Sequence, residues 1–259
     1  MNGEFNLNDK IVANVERKAK FKSGLHFDVK WHWKAYRHGL LMWEEKYINR
    51  VVDEGLTYAL SVAFKDGTKK TSWYILLFEN DYTPVAGNKY EAPGFIESIV
   101  YNEANRPLWN CGEITANVIT NGLNMASFTF NATKNIYGGA LVSDNRKGVP
   151  GAAATWQPSY AYTVGRIVVP TGSPGPPYSP NGHFYKCTVA GTSGSSQPTW
   201  PPASPPGGTV VDGGVTWTDV GVISGEKMFS SGRFDIAKPV EADDIVKVSI
   251  EITANAIIV

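Results

Sequence analysis

Four histidines are the first residues to test for chemistry: His26, His32, His38 and His183. A protein-bound metal needs imidazole, thiolate or carboxylate ligands converging at short spacing. His26 and His32 share the polar face of one extended segment, but they stand six residues apart with no cysteine near. They read as solvated or hairpin-packing side chains, and no metal site is expected. Glu44-Glu45 and Asp243-Asp244 are adjacent carboxylates, and neighbours in a strand point to opposite faces. Neither pair resembles the facing acid and nucleophile of a glycosidase, which would have to converge from distant segments. Ser193 lies in GTSGS, which lacks the spacing of a nucleophile elbow and any His/Asp context. No glycine-rich loop with a lysine is present to cradle phosphate. The expectation is a non-enzymatic chain with no cofactor.

Binding chemistry has better material. Trp156, Tyr160, Tyr185, Trp200 and Trp217 fall in one Pro/Gly-rich stretch. An exposed indole or phenol stacks on the apolar C–H face of a sugar, while nearby Asn, Ser or Thr satisfy the hydroxyls. These five are the candidate glycan-binding residues. Trp200 sits between Pro198 and Pro201, which would hold its ring rigid at the surface. The competing role is packing: a module of roughly 70 residues has a small core that large side chains must fill. Tyr185 and Trp217 are the two a core claims first, with Trp156 and Trp200 open to either role.

The chain that must position these residues has 259 residues, no formal net charge, 12% aromatics, 26 glycines and 16 prolines. That mixture favours short strands and many turns. Zero net charge gives no field to recruit nucleic acid. Lys18, Lys20 and Lys22 form a small basic cluster that reads as part of a solvated arm. Cys111 and Cys187 fall in different units; two free thiols made in a reducing cytoplasm is the reading, over a disulfide. No apolar run matches a bilayer span, so no membrane partner is expected. The first residues carry no signal-peptide core, which predicts a chain soluble when made and without a visible secretion signal.

Patterning predicts all-β architecture. Phe27, Val29, Trp31 and Trp33 alternate with Asp28, Lys30, His32 and Lys34, a strand with one apolar face. Tyr36–Gly39 supplies a turn and Leu40–Tyr47 the return strand. Asp53 would cap a helix in EGLTYALSVAF, with Leu56, Ala59, Leu60 and Ala63 on one face. SWYILLFEN (72–80) reads as a buried strand and FIESIVYNEANRPLW (95–109) as strand and turn. ASFTFNA (126–132) and NIYGGALVSD (135–144) read as strands joined by a tight turn. Twelve of the sixteen prolines lie between 150 and 222, and 152–222 carries four charges: Arg166, Lys186, Asp212 and Asp219. Beyond it Val246, Val248, Ile250 and Ile252 alternate with Lys247, Ser249 and Glu251. The division that follows is an N-terminal arm (1–25, with a short helix in VERKAK), a discontinuous base (26–151 and 223–259), and an inserted module (152–222). The fold expected is a jelly-roll-like β-sandwich with an arm and hairpin, plus a small inserted β-domain.

Two resemblances extend this reading. The ordered series of Trp156, Tyr162 to Gly165, Gly182-His183-Phe184-Tyr185-Lys186-Cys187, Ala190-Gly191-Thr192-Ser193-Gly194, Pro198-Thr199-Trp200-Pro201 and Asp212-Gly213-Gly214-Val215-Thr216-Trp217 resembles a small module of phage structural proteins. That module is similar to chitin-binding-type carbohydrate modules. The outer segments resemble tailed-phage virion proteins of the capsid-decoration (cement) kind, at the Asn49 to Leu56 step, Trp73-Tyr74, Asn105-Arg106-Pro107-x-Trp109 and Gly232-x-Phe234. This resemblance implies a virion location at the capsid surface. The implied partners are the major capsid protein and neighbouring copies of the same chain, with host or environmental glycans for the module. Two further readings compete: a tail-associated receptor-binding protein that recognises a host surface glycan, and a wall-degrading enzyme.

Overall fold

The computed structural model describes residues 23–149, 153–171, 183–201, 207–222 and 225–258. The proposed helix at 15–20 and the basic cluster Lys18, Lys20 and Lys22 lie outside the described residues, as does all of the proposed arm before Ser23.

The period-two pattern at 26–35 builds a long antiparallel hairpin. Strand β1 (Ser23–Arg37) pairs with β2 (Leu40–Val51), placing Trp31 opposite Tyr47 and Lys34 opposite Glu44. His38 and Gly39 both have positive φ, 49° and 81°. This two-residue turn matches the right-handed twist of the strands it joins. Along its other edge β1 pairs with β15 (Ile245–Ile258), from Tyr36 opposite Ile245 to Ser23 opposite Ile258. The far edge of β15 takes β4 (Val118–Thr120) and β5 (Ala126–Thr129).

On the opposite flank β2 hands over to β14 (Met228–Val240) at Val51 and Ser230. Strand β14 then pairs with β6 (Lys134–Val142), and β6 with β3 (Tyr74–Phe78). The order is β3-β6-β14-β2-β1-β15-β4, with β5 beside β4 on β15. The sheet curls until its two flanks face each other as an all-β sandwich. The core between them joins Val29, Trp31 and Trp33 of β1 to Leu77 of β3, Leu141 of β6 and Phe234 of β14. Trp31 and Trp33 stack at 5.3 Å, and Phe234 meets Trp33 edge-on at 5.0 Å. Such ring pairs contribute about 0.5–1.5 kcal/mol beyond buried area.

Helix α1 (Asp53–Phe64) follows β2, one residue earlier than expected. Its N-cap is Val52, and no side chain caps it. The Asp53 N–H is satisfied by Ala86 O at 2.9 Å instead. Of the expected apolar stripe Ala59 packs on the core, whereas Leu56 and Leu60 are 39% and 54% exposed. The buried position is Gly55, where an added Cβ would lie 2.3 Å from Phe229 O. A helix that approaches a strand backbone this closely touches it along a narrow line, leaving the broad stripe outside.

Two further expectations are corrected. Residues 95–109 form no strand; isolated bridges at Glu97, Tyr101 and Leu108 attach this coil to its neighbours. Phe95, Tyr101 and Trp109 bury their rings from it, which explains the strand-like composition. The segments at 126–132 and 135–144 are both strands, but they do not form a hairpin. The chain crosses from one flank of the sandwich to the other between them, so β5 joins β15 while β6 joins β14.

Between β6 and β14 lie β7 (Ala153–Thr155), β8 (Ala161–Tyr162), β9 (Ile167–Val169), β10 (His183–Val189), β11 (Gly191–Thr192), β12 (Thr209–Asp212) and β13 (Val215–Val222). They form a five-stranded sheet, β12-β13-β10-β9-β7, and a two-stranded β11-β8 pair. Among the described residues these strands pair only with one another. The flanking strands meet directly, Val142 opposite Met228.

Candidate functional site

The inserted unit is organised around one carboxylate. Asp212 ends β12 and opens the Gly213-Gly214 turn into β13, and it is buried. Its Oδ2 accepts from Trp156 Nε1 at 2.7 Å and from Trp217 Nε1 at 3.0 Å. Its Oδ1 accepts from Gly194 N at 2.8 Å. A buried indole N–H needs an acceptor, and one carboxylate serves two. The rings then close the core: Tyr162 meets Trp217 edge-on at 4.8 Å, and Trp200 lies over Tyr185 at 4.3 Å.

Three of the five glycan candidates are therefore interior. Trp156, Tyr185 and Trp217 have 4%, 0% and 0% of their surface exposed. All three belong to one buried cluster with Tyr162, Val168, Cys187 and Val215, so a sugar reaches them only if the core opens. Trp200 is half-buried against Tyr185 and Trp217 and acts as a lid on that core rather than a free platform. Tyr160 is the candidate left in solvent, at 50% exposure. Its loop is tightly held. Ser159 sits at φ 50° and donates its N–H to Gly194 O at 2.9 Å. Tyr160 N donates to Ser193 Oγ at 3.0 Å, and Ser193 Oγ donates to Gln157 O at 2.8 Å. Ser193 thus staples the loop through its hydroxyl. The exposed residues leading to Tyr160 in the chain, Gln157, Pro158 and Ser159, are neutral.

No protein family, no characterised protein and no solved structure matches the chain.

A second built site holds the insertion against the base. Arg106 and Glu97, both fully buried, form a bidentate pair. Arg106 Nη1 also donates to Tyr90 OH at 3.0 Å and Asp144 O at 2.9 Å, and Nη2 donates to Val149 O at 2.6 Å. All five guanidinium N–H groups find acceptors. Tyr90 OH in turn donates to Asp144 Oδ2 at 2.7 Å. Asp144 also holds Arg146, whose Nη1 reaches Val220 O at 2.9 Å and Val222 O at 3.1 Å on β13. Burial alone would raise the Asp144 carboxyl, but the hydrogen bonds and charge of Arg146 hold it below its usual range. Val149 packs with Ile167, Val169 and Phe184 of the insertion. A closed polar knot with an apolar plug thus fixes where the module stands.

His26 pairs with Asp28 at 2.9 Å and His32 with Glu44 at 2.6 Å on the outer sheet face. His38 is the exposed first residue of the turn. His183 is buried with its Nδ1 2.7 Å from Asp219 Oδ2. Glu44 and Glu45 do part to opposite faces, Glu45 meeting Lys238 at 2.6 Å. Asp243 is exposed, whereas Asp244 is buried and takes two hydrogen bonds from Arg37, both 2.8 Å. Cys111 and Cys187 are free thiols whose pKa values burial pushes up. Among the described residues no three metal-ligating side chains gather. The helix is too short and polar to cross a membrane.

Reading by residue type missed Asp212 and the Arg106–Glu97 pair. A signal for Asp212 was present. Buried tryptophans usually find acceptors, and the module has two carboxylates, Asp212 and Asp219, to offer.

Proposed function

We propose that this chain is a structural protein of a tailed-phage particle, a capsid-decoration protein whose base binds the head lattice and carries a small glycan-adhesive module outward. The observation that carries the reading is architectural. A compact β-unit interrupts the β-sandwich between two neighbouring strands, β6 and β14, and the Arg106–Asp144–Arg146 knot ties that unit to it. This division of labour suits a protein that anchors through one part and displays another. The resemblances of the outer segments and of the insertion point the same way.

Tyr160 is the residue proposed to stack on a sugar. The neutral residues leading to it favour a neutral glycan over an acidic one. Weak single-site binding suffices when many copies are displayed, because avidity multiplies it. The same exposed tyrosine also favours the second reading, a tail-associated receptor-binding protein, in which the module is the main working part.

Quantitative mass spectrometry of purified particles separates the two. A copy number commensurate with the major head protein supports decoration; a few copies per particle supports the tail reading; absence from particles removes both. For the module, Tyr160→Ala is expected to lower retention on immobilised neutral glycans with the fold intact. Unchanged retention removes Tyr160 from the site.

A further inference from the structure

The two long strands β1 and β15 run past the rest of their sheet. Strand β2 leaves β1 after Asn49, opposite Val29, and turns to pair with β14. Strand β4 ends its pairing on β15 at Thr253. Residues 23–28 and 253–258 therefore form a two-stranded ribbon that extends beyond the sandwich. Such a ribbon alone is marginal in water and ordinarily gains a third strand or a packed face.

Its open edge can be assigned residue by residue. Ala254 donates its N–H outward to Asn117 O at 3.0 Å, away from β1. Antiparallel alternation then makes Asn255 and Ile257 the residues that bond to β1, at His26 and Gly24. Leu25 and Phe27 consequently turn their N–H and C=O groups to the other side, where β2 has departed. Among the described residues neither has a ladder partner on that side, where the β1–β2 register ends at Val29.

The surface beside this edge combines the apolar Phe27, Ile48, Val51 and Leu56 with His26 and Arg50. A groove of about 400 Å³ is bounded by His26, Phe27, Ile48, Arg50, Val51 and Leu56. Ile48 on its wall is 70% exposed, and Leu56 continues along α1 into Leu60 and Phe64, the last 79% exposed. Unlike most free edges, this one is not blunted by lysine or proline: residues 23–27 carry only His26 as a charge-capable group, and 252–258 carry none.

We infer that the open edge of β1 pairs with the same edge of a second copy of this chain, in an antiparallel, two-fold interface centred on His26. Leu25 of each copy meets Phe27 of the other, so both sets of open groups are satisfied at once. An isologous contact needs such self-complementarity. His26 already sits 2.9 Å from its own Asp28, which leaves Arg50 as the charged side chain on the groove wall. With no net charge on the chain, long-range repulsion does not oppose the approach of two copies. Ile48 and the α1 stripe supply the apolar flank that the interface covers. The inference does not depend on a virion location.

The test is sedimentation of the full chain over micromolar concentrations, with amide exchange read at Leu25 and Phe27. Expected is a monomer–dimer equilibrium in which both amides are protected in the dimer and exchange on dilution. Leu25→Pro removes one outward N–H per copy and none of the bonds to β15, and should weaken dimerisation about tenfold or more. A monomer at every concentration overturns the inference, as does a dimer indifferent to Leu25→Pro. Protection of both amides in a monomer also overturns it, because the edge is then covered from within the chain. Should Leu25→Pro fail to fold, Ile48→Glu on the exposed groove wall carries the same decision.

Discussion

Arg106 and Glu97 face each other through two parallel hydrogen bonds, Nε to Oε1 at 2.9 Å and Nη2 to Oε2 at 2.7 Å, with neither side chain exposed to solvent. Each residue comes from the coil beside β3, and among the pair's other bonds two reach Gly148 and Val149, the last described residues before the insertion. A buried ion pair contributes little net stability over an apolar substitute, because desolvation offsets attraction. What it supplies here is position.

The loss of one partner should therefore be severe. Glu97→Ala leaves a buried guanidinium without its counter-charge, at a cost of about 3–5 kcal/mol. The double variant Glu97→Leu/Arg106→Met should recover much of this. Urea unfolding of the three proteins checks it. A single-variant loss no larger than that of a surface change would show the pair to be solvated.

Within the module, Asp212→Ala removes the acceptor of two indole N–H groups and one backbone N–H. Each orphaned buried donor costs about 1–3 kcal/mol, and a unit this small has little stability to lose. The module should melt while the base persists. Asp212→Asn, which keeps one oxygen, should fall between. Tryptophan fluorescence and methyl NMR signals of the two units read this directly; a module that stays folded in Asp212→Ala contradicts it.

Acid should loosen the tip of the β1–β2 hairpin. The hydrogen bonds from Arg37 hold the Asp244 carboxyl below its ordinary value, with burial opposing. A depressed folded-state pKa means stability that is present above the unfolded value of about 4 and lost as pH falls through the folded one. Stability should decline below roughly pH 4, and Asp244→Asn should remove its share of that slope while costing stability at neutral pH. Urea midpoints against pH test the sign; an unchanged slope in the variant would assign the acid sensitivity elsewhere.

Much of the sandwich was legible because its strands bury one face. Trp31 and Trp33, and Val246, Val248 and Ile250, announce period two wherever a single core lies beneath them. The helix was found but its contact was not, since Gly55 docks through the absence of a side chain and no hydrophobic pattern registers that. The coil at 95–109 read as strand because Phe95, Tyr101 and Trp109 plug the core without laddering. The candidate site divided for a related reason: stacking on a sugar and filling a core call for the same residue types. Only exposure separates Tyr160 from Trp156, Tyr185 and Trp217, and exposure follows from tertiary packing.

Deleting residues 153–222 should leave the base folded, because Val142 and Met228 on the flanking strands are already partners. The unfolding temperature of the base should move by only a few degrees, the cost of uncovering Val149 and leaving Arg146 without the carbonyls of β13. Calorimetry of the deletion variant checks this. Loss of cooperative unfolding would show that base and insertion fold as one body.

The central claim is that the base anchors to a phage head and presents the module outward. Cryo-electron microscopy of intact particles tests it most directly. The account predicts sandwich-shaped density repeated over the head lattice, with the β7–β13 unit on its outer side. Density confined to the tail, or none on the particle, would contradict it.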